Sequence, residues 1–139
     1  MKYSQALVRS SLLAPVTAAT TSRTATLDCK GADYASIVIH LGAEANTNNT
    51  NVLINLKEGD TTVVTNAATF NASYSITSDN TAAAVQVLNV DLKGRKRYLQ
   101  LTLTPDTTTN GAIITSAVAE LTVEKMGANS ANADQVVVG

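Results

Sequence analysis

The chain has no tryptophan, one phenylalanine, one histidine, one cysteine and two prolines in 139 residues. Each scarcity excludes something. The single thiol, Cys29, cannot form an intramolecular disulfide, and it excludes a thiol-rich metal centre. The single imidazole, His40, gives neither a triad nor a nitrogen cluster for a metal. With aromatics at 4%, few residues are available to stack on bases or sugars. Charge is scarce as well: Asp, Glu, Lys and Arg make up 15% of the chain, against roughly 25% in an average domain. The net charge of −1 creates no global field for nucleic acid or an anionic membrane. No apolar run approaches the roughly 18 residues of a membrane-spanning helix. Leu12-Leu13-Ala14, ended by Pro15, is too short for the apolar segment of a signal peptide. The expectation is a soluble protein, intracellular when made, with no membrane partner.

Apolar residues make up 45% of the chain, and Thr, Asn, Ser and Ala fill the place that charge usually takes. Neutral, Thr-rich surfaces suit β-strands and extensive self-contact. Residues 1–22 show no clear period and are predicted to be an extended N-terminal arm, with a weak helical signal over 4–13. A β-sandwich domain is expected over 23–126 and a C-terminal tail over 127–139, small and polar until Val136-Val137-Val138.

From residue 23 the apolar period becomes two. Ala25, Leu27 and Cys29 alternate with Thr24, Thr26 and Asp28. Tyr34–Leu41 is predicted to be a strand with Ala35, Ile37, Ile39 and Leu41 inward and Ser36, Val38 and His40 outward. Residues 52–57 turn Val52, Ile54 and Leu56 inward, and a turn at Glu58-Gly59-Asp60 precedes a short strand over 61–65. Asn71–Ser78 alternates again. Residues 84–92 align Gln86, Leu88, Val90 and Leu92, and residues 98–104 align Leu99, Leu101 and Leu103. A long strand over 112–125 would carry Ile113, Ala117, Ala119, Leu121 and Val123 inward, with Glu120, Thr122 and Glu124 outward. About eight short strands separated by turn signals predict an all-β fold: an antiparallel β-sandwich, jelly roll or barrel.

One stretch breaks the neutrality. VDLKGRKRYLQLTLTP, residues 90–105, places Lys93, Arg95, Lys96 and Arg97 around Gly94. Between two β-patterns, with a glycine able to take positive φ, it reads as a hairpin tip. A nucleic-acid surface needs a broader basic patch with interleaved aromatics, and only Tyr98 is near, so nucleic acid is an unfavoured partner. No nucleophile elbow, phosphate loop or dinucleotide fingerprint is present. The carboxylate pairs Asp28/Asp33 and Glu58/Asp60 flank glycine turns and read as turn residues, because a calcium loop needs more oxygen ligands close together. His40 is expected at the surface and Cys29 in the core. The expectation is a protein that is not an enzyme, with no catalytic residues, no cofactor and no metal.

Three segments carry a resemblance. TLDCKGADYASIVIHLGA (26–43), NVLINLKEGD (51–60) and VDLKGRKRYLQLTLTP (90–105) resemble a family of small β-rich structural proteins of tailed bacteriophages, the head decoration or cement proteins. The likeness lies in an LDxxGxDY opening strand, an LK-acid strand end and a GRKRYLxL segment, and it covers most of 24–125. Cys29 departs from the LDTxG form of the opening, and the Asn/Thr-rich loop over 43–51 is a second departure from the family. The resemblance implies a virion protein on the capsid exterior, a homotrimer, with the major capsid protein as partner. The residues then expected to contact capsid or a neighbouring subunit are Lys2 and Arg9 from the arm, Arg23 just after it, and Arg95, Lys96 and Arg97 from the basic stretch. The alternative is a tail or fibre accessory that binds a host-surface ligand through loops 43–51 and 106–111, against which the scarcity of aromatics argues.

Overall fold

A computed structural model describes residues 7–18, 21–42, 50–64, 71–78, 84–106, 113–122 and 135–138. The described residues form nine strands: β1 (Leu7–Ala18), β2 (Arg23–Asp28), β3 (Tyr34–Leu41), β4 (Thr50–Gly59), β5 (Asn71–Ser78), β6 (Ala84–Asp91), β7 (Tyr98–Asp106), β8 (Ile113–Thr122) and β9 (Gln135–Val138). They make a five-stranded sheet in the order β1-β8-β3-β6-β9 and a four-stranded sheet in the order β2-β7-β4-β5. The sandwich is open, not a closed barrel. The strand numbers in the ladders β1·β8, β2·β7, β3·β6 and β4·β5 each sum to nine. That pattern is one long hairpin rolled up so that successive rungs alternate between two sheets, which is the jelly-roll arrangement.

The core lies between the sheets and is almost wholly aliphatic. Ala35, Ile37, Ile39, Leu41, Leu88, Val90, Ile113, Ala117 and Ala119 come from the five-stranded sheet. Val52, Ile54, Leu56, Leu27, Leu99, Leu101 and Leu103 come from the other. The period of two read in β3, β4, β6 and β7 is the inner face of each strand. Branched side chains suit these pleated surfaces, so a core forms with Tyr34 as its one fully buried aromatic among the described residues.

Four local expectations are corrected. Residues 7–18 are not an arm outside the sandwich: they are β1, the edge strand paired with β8, and Leu13 is buried in the core. Register shifts between Ser11 and Leu13 and between Leu13 and Val16 break the alternation, which hides the strand from a period-two reading. Residues 60–63 form bends and not a strand, with Val64 packed against Gly59. Thr122 is buried at the end of β8, where its carbonyl accepts the Asp33 amide. Gln135–Val138 pairs in parallel with β6 and is not merely tail. Lys2, Val123, Glu124 and the loops 43–49 and 107–112 lie outside the described residues.

Truncating a residue at the centre of this core tests it. Leu101→Ala, at 1% exposure, is expected to lower unfolding free energy by about 2–5 kcal/mol in a urea titration. Leu53→Ala, on the outer face at 44% exposure, is expected to cost within about 0.5 kcal/mol. Equal losses at the two positions would place Leu101 outside the core.

Candidate functional site

Two connections at one end of the sandwich share a four-residue pattern. Asp28-Cys29-Lys30-Gly31 leads from β2 to β3, and Asp91-Leu92-Lys93-Gly94 leads from β6 to β7. In each, the aspartate Oδ1 accepts the lysine amide two residues on, at 3.0 Å for Asp28 and 3.1 Å for Asp91. Each is then closed by an amide three residues past a carbonyl: Ala32 to Cys29 at 3.1 Å and Arg95 to Leu92 at 3.0 Å. Gly31 and Gly94 hold φ of 77° and 76°. A positive φ at the third residue of such a turn defines type II geometry and favours glycine there. The aspartate fixes the entry and the glycine the exit.

These turns are arches and not hairpins, which corrects the reading of 90–105. β6 belongs to the five-stranded sheet and β7 to the four-stranded sheet, so the basic stretch carries the chain across the sandwich. The two arches lie side by side, joined by the Leu92 amide donating to the Asp33 carbonyl at 3.0 Å and the Cys29 amide donating to the Arg97 carbonyl at 2.8 Å.

Two charges of the second arch, Lys96 and Arg97, are engaged within the molecule. Arg97 donates from Nε to Asp28 Oδ1 at 2.8 Å and from Nη2 to Asp28 Oδ2 at 2.6 Å, a two-pronged match of guanidinium to carboxylate. Its guanidinium also lies 4.8 Å from the centre of the Tyr98 ring. Lys96 donates from Nζ to Asp60 Oδ2 at 2.7 Å, and its backbone amide donates to Oε2 of the buried Glu58 at 3.1 Å. Thus LDCKGADY, LKEGD and GRKRY, the three segments of the resemblance, converge here. The hydrogen bonds from Arg97 hold the Asp28 carboxyl down at about 2, and the Asp28 carboxylate raises the Arg97 value in turn. The hydrogen bond to Asp60 raises Lys96. Burial pushes the Cys29 thiol up to about 12, which makes it a core residue and a poor nucleophile.

The other residues expected at a contact surface are distributed differently. Arg23, on β2, reaches across to the five-stranded sheet. Its Nη1 donates to the Thr115 carbonyl at 2.6 Å and Oγ1 at 3.0 Å, and its Nη2 donates to the Ala14 carbonyl at 2.7 Å. Ala14 lies where β1 and β8 slip register, so Arg23 satisfies a carbonyl in the irregular stretch of that ladder. Arg9 pairs with Glu120 across the β1·β8 ladder at 2.7 Å, with its side chain 68% exposed. Arg95 is half-buried beside the second turn. His40 is exposed on β3. Among the described residues, no three His, Cys, Asp or Glu side chains are grouped to hold a metal. No described helix is long and apolar enough to cross a membrane.

The two outer faces differ. On the four-stranded sheet, Thr24 and Thr102 face one another with hydroxyls 3.1 Å apart, and Thr26, Gln100, Asn55 and Lys57 continue the polar surface around an exposed leucine, Leu53. On the five-stranded sheet, Val118, Val38 and Val87 occupy one register row across β8, β3 and β6. Val118 is 38% exposed, and Ile114, further along β8, is 49% exposed. Sequence reading marked Val38 as outward but could not see the row, because its members lie on three strands distant in sequence.

No family model and no curated protein matches the chain. Among solved structures, a chain of Bacillus endospore appendages, described as a novel family of disulfide-linked pili, aligns with 86% of this chain and 90% of its own, at 15% identity and a TM-score of 0.47. A chain of the enzymatically active domain of tailspike protein 4 from bacteriophage CBA120 aligns with 83% of this chain, at 14% identity and a TM-score of 0.52. This chain spans 19% of that tailspike chain, and the likeness is one of fold alone.

Two measurements test the arch end. In an NMR titration the Asp28 carboxyl should show a midpoint near 2, returning toward 3.8 in Arg97→Gln. Because the folded value lies below the unfolded one, this contribution to stability is complete above about pH 4 and is lost as pH falls toward 2. An Asp28 midpoint unmoved by Arg97→Gln would remove the guanidinium as its cause. At Glu58, Ala should destabilise by about 1–3 kcal/mol by leaving the Lys96 amide unpaired, whereas Gln keeps an acceptor and should cost less. Identical losses for the two variants would show that the acceptor is unimportant.

Proposed function

We propose that this chain is a structural virion protein that decorates and stabilises a bacteriophage capsid, as a trimer whose copies bridge subunits of the major capsid protein. The observation that carries the reading is the use made of the three resemblance segments: they tie the arch that crosses the sandwich to β2 and β4 at one end of the four-stranded sheet. Residues spent on rigidity belong to a body whose work is mechanical, and the reading is accordingly non-enzymatic. Carboxylates of the chain itself hold Lys96 and Arg97, which argues against phosphate binding through these two residues. The valine row on the five-stranded sheet supplies an apolar surface for a partner, and the exposed Arg9 lies toward its β1 side. Several modest contacts from one trimer would add through effective concentration, so no single site has to be strong. A tail or fibre accessory is the second reading, favoured by the fold likeness to the tailspike chain.

The test is fractionation of virions of the phage that encodes the chain. Presence in DNA-filled heads at a fixed ratio to the major capsid protein is the expected result. Presence in tails alone would transfer the reading to the accessory role, and absence from intact particles would sink both. Val38→Glu with Val118→Glu should reduce incorporation at least about tenfold, because burying an unpaired carboxylate costs more than the ~1.4 kcal/mol that a tenfold change represents. Incorporation at the wild-type level would remove the valine row from the interface. Light scattering should give the mass of three chains, and a monomer at all concentrations would overturn the trimer.

A further inference from the structure

The eight strands β1–β8 complete the rolled hairpin among themselves, so β9 is an addition to the edge of β6. It is also the only parallel ladder among the described strands, pairing Gln86 with Gln135, Val87 with Val136, Leu88 with Val137 and Asn89 with Val138. We propose that β9 is exchanged between copies, so that Gln135–Val138 of one chain adds in parallel to β6 of a neighbour.

The tether permits this. β8 ends at Thr122, level with Tyr34 on β3 and, through Tyr34, with Asp91 on β6. β9 begins level with Gln86, toward the opposite end of β6. From Thr122 to Gln135 is therefore about 17 Å along the strands and about 14 Å across them, some ~22 Å in a straight line. Residues 123–134 can span roughly 43 Å when extended, about twice that. The connection thus does not dictate which β6 receives the strand. Its sequence, VEKMGANSANAD, is dominated after Met126 by Gly, Ala, Asn and Ser, with no apolar run of its own to dock.

The edge also has the chemistry of a socket. Strand addition draws its affinity from main-chain hydrogen bonds, which any chain with the same register supplies equally. The four register pairs of β9 run along the edge of β6 from Gln86 to Asn89, so any strand in this register meets the same backbone groups. A tethered strand has an effective concentration on the order of millimolar. In dilute solution that favours the chain's own strand. Among copies held side by side, a neighbour's identical strand competes on equal terms. The exchange needs only copies held close together, so its failure and that of the virion reading are separable.

Cysteines placed in register read the exchange directly. In full-length chains carrying Cys29→Ala, Val87→Cys is mixed with Val136→Cys at about 1 mM, near the effective concentration of the tethered strand, and oxidised. Paired strands lie ~4.8 Å apart, within the Cα separations that a disulfide accepts. The expected result is a linked dimer containing one chain of each kind, falling to background when Val138→Cys replaces Val136→Cys. If the double variant Val87→Cys/Val136→Cys closes within monomers while the mixture gives no dimer, β9 belongs to its own chain and the exchange is refuted. If neither links, β9 does not occupy β6 and the proposal falls entirely.

Discussion

The constraint on which the rest of this structure depends is that almost every connection must cross the sandwich. Among β1–β8, only β4 and β5 are successive strands in one ladder; the other connections pass between sheets stacked roughly 10 Å apart. A crossing chain leaves the ladder that satisfied its backbone and must find other partners before it joins the next. The arches after β2 and β6 meet that demand with one device, Asp-x-Lys-Gly, and then with each other through the Leu92–Asp33 and Cys29–Arg97 bonds. Once the arches are fixed side by side, the registers of β2 against β7 and β3 against β6 are fixed as well.

The distribution of charge follows from the same demand. An aliphatic core drives the sheets together without direction, because burial of apolar area does not specify which edges meet. Direction between the sheets comes from Arg23, and other charged side chains fix the arch onto the four-stranded sheet. Arg23 joins β2 to the β1·β8 edge where the ladder slips, Arg97 joins β7 to the end of β2, and Glu58 on β4 accepts the Lys96 amide. These ties sit where the chain leaves regular pairing, whereas the strand centres between them are held by Leu, Ile and Val. A chain with 15% charge thus spends much of it on internal geometry.

Strand existence was legible wherever the two faces of a strand meet different environments. β3, β4, β6 and β7 alternate clearly because one face is core and the other is not. β1 was illegible because two register shifts scramble its alternation, and an edge strand buries little beyond Leu13. Partner choice was illegible for a different reason. A glycine at positive φ serves a hairpin and an arch equally well, so Gly94 could not reveal that β6 and β7 lie in different sheets. The repetition of Asp-x-Lys-Gly was the available signal, since two matched turns are what two parallel arches require. The role of Arg23 left no local trace: its acceptors on Thr115 lie 92 residues away.

What remains for contact with other molecules is what the fold does not consume. On the Thr-lined face of the four-stranded sheet, some hydroxyls are already paired with one another, as at Thr24 and Thr102, and Leu53 is its one exposed large apolar side chain among the described residues. The other sheet presents valines at one register level across three strands, and it alone carries the added edge strand. Side-chain packing on that face and main-chain pairing at its edge are independent modes of association, one insensitive to backbone register and the other defined by it. If both modes proposed above operate, association runs in two directions from one sheet, the valine row perpendicular to it and the β6 edge along it.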